Sequence, residues 1–259
     1  MEVLKLLTII IIILVIFVLI ILIIYHYIDG YYALNFVNKI LKKYENKQAV
    51  YPTDKQWCKD LRDNYKVIRD EYINYTSTYK LKRACDLDYT QRQIDTGEIP
   101  WEILILKLYN KDTDKIFFFP KTYNLIKNIP ECKSALFSIL KPGKKLDIHH
   151  GPSNLLLRYH LSLIVPNNNE YEGLTNLNKK CFLTVDNKKH FWKEGTDIIF
   201  DDTYLHTAEN NTDTSRVVLI LDIKKKYDNI FLDFINDIFL YFSKYNSTVI
   251  DIVKNVNNS

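Results

Sequence analysis

Residues 154–166 read NLLLRYHLSLIVP. In an extended strand successive side chains point to opposite faces. Leu157, Tyr159, Leu161 and Leu163 then share one face, and Arg158 and His160 share the other. A strand with one wholly apolar face covers a core. Its second face carries an arginine and a histidine among apolar neighbours, where a buried charge without a partner is costly. That face therefore needs acidic company. It could be the chain's own carboxylates, Asp147 or Asp202 for example, or a bound anion.

Working outward, further strand-like runs are WEILILKLY (101–109), KIFFF (115–119), SALFSIL (134–140), CFLTV (181–185), TDIIF (196–200) and RVVLILDI (216–223). Most are bounded by Asn, Gly, Pro or Asp, residues that favour turns. Many short strands with little helix between them predict a mainly β fold, closed or two-sheeted and antiparallel, such as a jelly roll. Flanking helices are expected too. Trp57, Leu61, Tyr65, Ile68 and Tyr72 fall on one face of a helix over 53–75, capped by Thr53 or Asp54. KTYNLIKNI (121–129) predicts a short helix, and Phe231, Phe234, Ile235, Ile238, Phe239 and Phe242 predict a C-terminal amphipathic helix.

Composition excludes more than it selects. The 259 residues carry 35 Lys+Arg against 31 Asp+Glu, a net charge of +4 with the lysines scattered, so no nucleic-acid partner is expected. Cys58, Cys85, Cys132 and Cys181 form no CxxC pair and fit no zinc framework; four reduced thiols are expected.

From Leu6 to Ile24 every residue but Thr8 is apolar, and YHYIDGYY follows. A run of about twenty residues at 1.5 Å rise matches a hydrocarbon core of about 30 Å. The run therefore predicts one N-terminal transmembrane helix, a membrane partner through residues 6–24, and a single-pass protein. Lys39, Lys42 and Lys43 on the far side tilt the expected topology towards a cytoplasmic catalytic domain. The expected organisation is an anchor at 1–30, a juxtamembrane linker at 31–51, a β domain at 52–227 and a C-terminal helix at 228–259.

His149 lies two residues before Gly151, and His206 follows FDDTYL, just after a strand. Two imidazoles from neighbouring strands of a jelly roll suit a borderline metal such as iron(II), although a carboxylate two residues after the first histidine is usual and Gly151 stands there. SILKPGKKLDIHHGPSNLLLRYHLSLIVP (138–166), FWKEGTDIIFDDTYLHTAENNTDTSRVVLILDI (191–223) and LRDNYKVIRDE (61–71) resemble the aspartyl/asparaginyl β-hydroxylase family over roughly residues 52–227.

That resemblance implies a dioxygenase on a double-stranded β-helix, dependent on iron(II), 2-oxoglutarate and O2. Carried over by position, His149 and His206 would be the iron ligands. Arg216 would grip the distal carboxylate of 2-oxoglutarate, helped by Ser138. Arg158 and His160 would line its iron-side end, and Trp101 would contact it. Gly151 resembles the protein-hydroxylating branch, whereas TYLHTAEN (203–210) resembles the branch that hydroxylates lipid A. The expected substrate is an Asp or Asn β-carbon in a polypeptide. The alternatives are a lipid acyl chain or a non-catalytic binding module of the same fold. A carboxylate added at position 151 is expected to tighten iron binding.

Overall fold

The computed structural model describes residues 5–13, 16–17, 30–44, 48–166 and 180–259. The chain divides into two compact units, 1–45 and 46–259. In the first, residues 5–13 and 16–17 are helical, and helix α1 spans Gly30–Lys42 inside the stretch expected to be a linker. Among the described residues no helix is long and apolar enough to cross a membrane. This overturns the single-pass expectation and the cytoplasmic topology built on it. A spanning helix needs about 20 continuous residues, and 5–13 is the longest described helical piece of the apolar run. Positions 14–15 and 18–29 of the expected anchor lie outside the described residues.

The second unit begins with β1 (Val50–Tyr51), α2 (Gln56–Asp63), α3 (Tyr65–Thr76), β2 (Lys82–Arg83) and α4 (Ala84–Leu87). It continues through β3 (Trp101–Leu108), β4 (Lys111–Asp112), α5 (Pro120–Ile126), β5 (Cys132–Leu140) and β6 (Leu156–Ile164). The remainder is β7 (Cys181–Val185), β8 (Lys188–Phe191), β9 (Asp197–Phe200), β10 (His206–Asn210), β11 (Arg216–Lys224), α6 (Ile230–Ser243) and α7 (Ser247–Asn257). The larger sheet has the order β1-β9-β6-β11-β5-β3-β2 with β4 on β3, and the smaller has β10-β7-β8. Every pairing is antiparallel. From β6 onward the chain crosses to the smaller sheet for the β7–β8 hairpin, returns for β9, crosses again for β10 and returns for β11. Asp186 and Asn187, both at positive φ, close the β7–β8 hairpin in the backbone conformation a two-residue turn demands.

Alternation sorts the larger sheet into two faces. Leu157, Tyr159, Leu161 and Leu163 of β6 join Val217, Leu219 and Leu221 of β11 under Leu61, Ile68 and Tyr72 of α2 and α3. The opposite face, with Ile103, Ile198, Phe200, Val218 and Ile220, shares a second core with Cys181, Leu183, Val185 and Ala208 of the smaller sheet. The result is a mainly β, two-sheeted antiparallel fold with helices on its outside.

Four local expectations are corrected. KIFFF is not a strand: Asp114–Phe118 forms a 3-10 turn with Phe117 and Phe118 exposed, because an apolar run without alternation does not distinguish a strand from a turn of helix. The 53–75 helix is two. The backbone leaves the helical range at Asn64 (φ −105°, ψ 11°), whose side chain joins its own N–H in donating to the Asp60 carbonyl, and Lys55, not Thr53 or Asp54, stands at the N-cap. The C-terminal helix is also two, since Asn246 caps α7 by accepting from the Thr248 N–H. Finally, α6 buries Leu232, Ile235, Asn236, Phe239 and Leu240, leaving Phe231 and Phe234 exposed.

Asn236 explains that rotation. It is fully buried, and its amide donates to the carbonyls of Leu155 (3.1 Å) and Lys225 (2.7 Å), the residues that flank the start of β6 and the end of β11. The Leu155 carbonyl also accepts from the Lys225 N–H, so it is the Lys225 carbonyl that would lose its side-chain donor, at a cost of about 1–3 kcal/mol for a buried unpaired group. Asn236→Ala should lower unfolding free energy by about that amount in urea titration. A loss below about 0.5 kcal/mol would mean that water replaces the amide.

Candidate active site

His149 and His206 face one another across an antiparallel bridge. Each backbone N–H donates to the other's carbonyl, at 3.0 and 2.8 Å, so both side chains leave the backbone on the same side. The ring centroids are 4.2 Å apart. The His149 Nδ1 bonds the Asp147 carbonyl at 2.6 Å, and the His206 Nδ1 bonds the Tyr204 carbonyl at 2.9 Å. A carbonyl only accepts, so each Nδ1 carries the proton and each Nε2 keeps a lone pair. Burial holds both imidazoles neutral: His149 is lowered below the ordinary histidine value, and His206 is pushed down to about 3. Among the described residues no three His, Cys, Asp or Glu side chains converge as a metal cluster.

The other expected residues line the face shared with the smaller sheet. The Trp101 indole N–H donates to Ser138 Oγ at 2.9 Å. Ser138 lies opposite Val218, and Arg216 opposite Leu140. His160 pairs in register with Ile220 and Ile198, and neither of its ring nitrogens has a hydrogen-bond partner among the described residues. Arg216 is 2% exposed, with Nε and Nη1 equally unpartnered, and burial pulls its pKa down to about 10. A buried guanidinium with two vacant donors is built to receive an anion.

Arg158 differs. Its Nε donates to Asp222 Oδ1 at 3.0 Å, and its Nη2 lies 3.3 Å from Asp202 Oδ2. Burial opposes its charge, yet Asp222 and Asp202 hold its pKa above the usual arginine value. Its company is thus two carboxylates of the chain, Asp202 among them, while Asp147 instead accepts from Thr96 Oγ1. His150 is exposed, and its Nδ1 bonds the carbonyl of Gly151 at 3.2 Å.

Two side chains escaped the sequence reading, Asp222 and Trp192, and a third, Asp202, was read only in part. Asp222 continues the polar row of β11. Trp192 follows β8 and packs between His160 and Arg216. Asp202 mattered more than a salt-bridge partner. A Cβ at Gly151 would fall well inside contact distance of its carboxyl carbon and both oxygens. The space beside residue 151 is filled by an acid from another segment, 6% exposed and raised by burial to about 6 against the pull of Arg158. A carboxylate at 151 would meet a carboxylate, which corrects the expectation that it would tighten a metal.

A family profile described as "Aspartyl/Asparaginyl beta-hydroxylase" matches residues 62–226. The chain belongs to this family. It is 36% identical over 171 residues to the ornithine lipid ester-linked acyl 2-hydroxylase of Rhizobium tropici, covering 65% of this chain and 57% of that one. With the human aspartyl/asparaginyl beta-hydroxylase it shares 28% over 171 residues, covering 64% of this chain and 20% of that one. The matched segment thus spans little more than half of the first relative and a fifth of the second. A crystal structure of a Pseudomonas putida prolyl-4-hydroxylase overlaps at TM-score 0.39 and 12% identity, covering 64% of this chain and 88% of that one, which adds nothing to the strand pairing above.

Gly151→Ala should displace Asp202 and cost about 1–3 kcal/mol, the range for overpacking. Adding Asp202→Ala in the same chain should recover part of that loss, because the two changes share one space. Strict additivity in a double-mutant cycle of thermal or urea stability would separate the two positions.

Proposed function

We infer that this protein is an iron(II)- and 2-oxoglutarate-dependent hydroxylase on a double-stranded β-helix. The observation carrying this reading is the pairing of two Nε2-presenting histidines beside the smaller sheet with a buried arginine of the larger sheet whose Nε and Nη1 have no partner among the described residues. That donor set fits a borderline divalent metal, which takes neutral imidazole nitrogens whose second ring nitrogen is fixed by a hydrogen bond. Iron(II), with 2-oxoglutarate and O2, would supply the oxidising chemistry that puts a hydroxyl on an unactivated carbon.

The chain's part is placement. His149 and His206 present the metal-binding nitrogens. Arg216, with Ser138 held by Trp101, receives the distal carboxylate. His160 and Arg158 border the histidine end, where Asp202 and Asp222 hold the Arg158 guanidinium in one orientation. Apolar walls from Phe200, Val218 and Ile220 keep water from these charges and strengthen their interactions.

Two substrate classes fit this chemistry. Gly151 beside His149 supported an Asp or Asn β-carbon in a polypeptide. The identity of 36% to the lipid hydroxylase, against 28% to the human protein over the same 171 residues, favours an ester-linked acyl chain, which is the reading we adopt.

The test is succinate release and O2 uptake with iron(II) and 2-oxoglutarate, offered ester-linked acyl lipids and Asp- or Asn-containing peptides. Lipid-dependent turnover is expected. Peptide-dependent turnover would reverse the substrate choice, and no 2-oxoglutarate consumption with either would defeat the reading. His206→Ala should abolish metal binding and turnover while the protein still melts cooperatively. Arg216→Ala should weaken 2-oxoglutarate binding by about 1.5–3 kcal/mol, roughly 10- to 150-fold, with metal affinity unchanged. Equal cosubstrate affinity in both proteins would place the distal carboxylate on another cation.

A further inference from the structure

A continuous run of ring contacts crosses the interior from the histidine pair to the arginine. His206 meets Phe200 with centroids 5.5 Å apart, and Phe200 meets His160 at 5.1 Å. His160 lies nearly parallel to Trp192, 5.9 Å away with 19° between planes. The Arg216 guanidinium carbon sits 5.5 Å from the centroid of the same indole. Trp192 is 1% exposed, among the largest fully buried side chains, and His190 abuts it edge-on at 5.2 Å.

A guanidinium against an indole face is held by cation–π attraction and by plain contact. Arg216 has no carboxylate of the chain to orient it, because its Nε and Nη1 have no hydrogen-bond partner among the described residues. Trp192 is therefore the side chain that fixes where the cation stops. We propose that Trp192 is a specificity-determining residue: by backing Arg216 it sets the distance between the histidine pair and the anion-binding fork, and so selects the chain length of the 2-oxo diacid. The proposal rests on the cosubstrate reading above and adds the residue that measures the cosubstrate.

Its physical consequence is a change of span. Removing the indole leaves a void beside the guanidinium, into which the fork can shift, so its distance from the histidines changes. A diacid one methylene shorter or longer then fits the new span, while 2-oxoglutarate fits it less well. Phenylalanine keeps an aromatic face and holds the fork nearer its original place. One methylene in a fitted apolar pocket is worth about 10- to 200-fold in discrimination.

The experiment measures binding of 2-oxoglutarate, of oxaloacetate and of 2-oxoadipate by calorimetry to the full chain. Mn(II) is the metal, so that binding is read without turnover. Wild type should prefer 2-oxoglutarate. Trp192→Leu should shift the preference towards the shorter or the longer diacid, relative to 2-oxoglutarate, by about tenfold or more, and Trp192→Phe should shift it less. All three ligands weakened equally in a cooperatively melting Trp192→Leu protein would make Trp192 structural and overturn the proposal. So would unchanged ratios. Should Trp192→Leu fail to fold, the Trp192→Phe ratios decide alone: a shift towards either other diacid supports the proposal, and no shift overturns it. Failure of wild type to bind 2-oxoglutarate would instead defeat the cosubstrate reading itself.

Discussion

The ladder between β6 and β11 is the constraint on which the rest of the molecule depends. Its register sets Ile220 opposite His160 and Asp222 opposite Arg158. With a side-chain period of two, that register fixes both faces at once. Tyr159, Leu161, Leu219 and Leu221 go to the helices, and Arg158, His160, Val218 and Asp222 go to the interior. A slip by one residue would put an arginine and a histidine into the helix-covered core and leave the leucines facing the smaller sheet. Burial of the outer face therefore enforces the chemistry of the inner one.

The two interior arginines show how differently one face can treat charge. Arg158 is neutralised within the chain by Asp222 and Asp202, and a buried cation with two acids in contact needs no ligand to be stable. Arg216, on the neighbouring strand, has the Trp192 ring but no carboxylate partner among the described residues, and burial lowers its pKa. Leaving a buried cation so has a cost, which a bound anion would offset. The pattern separates a cation neutralised by its own chain from one left open to an anion.

Strands with clear alternation and turn residues at their ends were legible in the sequence. CFLTV and RVVLILDI fall on β7 and β11 almost to the residue, Trp101, Ser138, Arg158, His160 and Arg216 lie on strands of the larger sheet, and His149 and His206 pair across a bridge. KIFFF was not legible, since five residues with four apolar in a row carry no period. The break at Asn64 and the turned face of α6 depend on single polar side chains, Asn64 and Asn236, whose partners only the folded backbone supplies. Trp192 lies past the end of β8, where alternation no longer says which way a side chain points. Asp202 was hidden differently: its closest approach is to a glycine fifty-one positions earlier, and no local pattern announces a contact of that kind.

That contact changes what Gly151 means. Read along the sequence, a glycine two residues after His149 is a missing carboxylate, a site short of one ligand. In three dimensions the glycine is there because the Gly151 N–H donates to the Asp202 carbonyl at 2.6 Å and the Asp202 carboxylate lies where a Cβ would be. A side chain at 151 would have to expel an acid that is 6% exposed and in contact with Arg158. The chain still places an acid beside residue 151. It is delivered from the segment between β9 and β10, four residues before His206 opens β10, and it is held there by an arginine of β6. That segment thus supplies the acid, and the glycine across from it supplies the room.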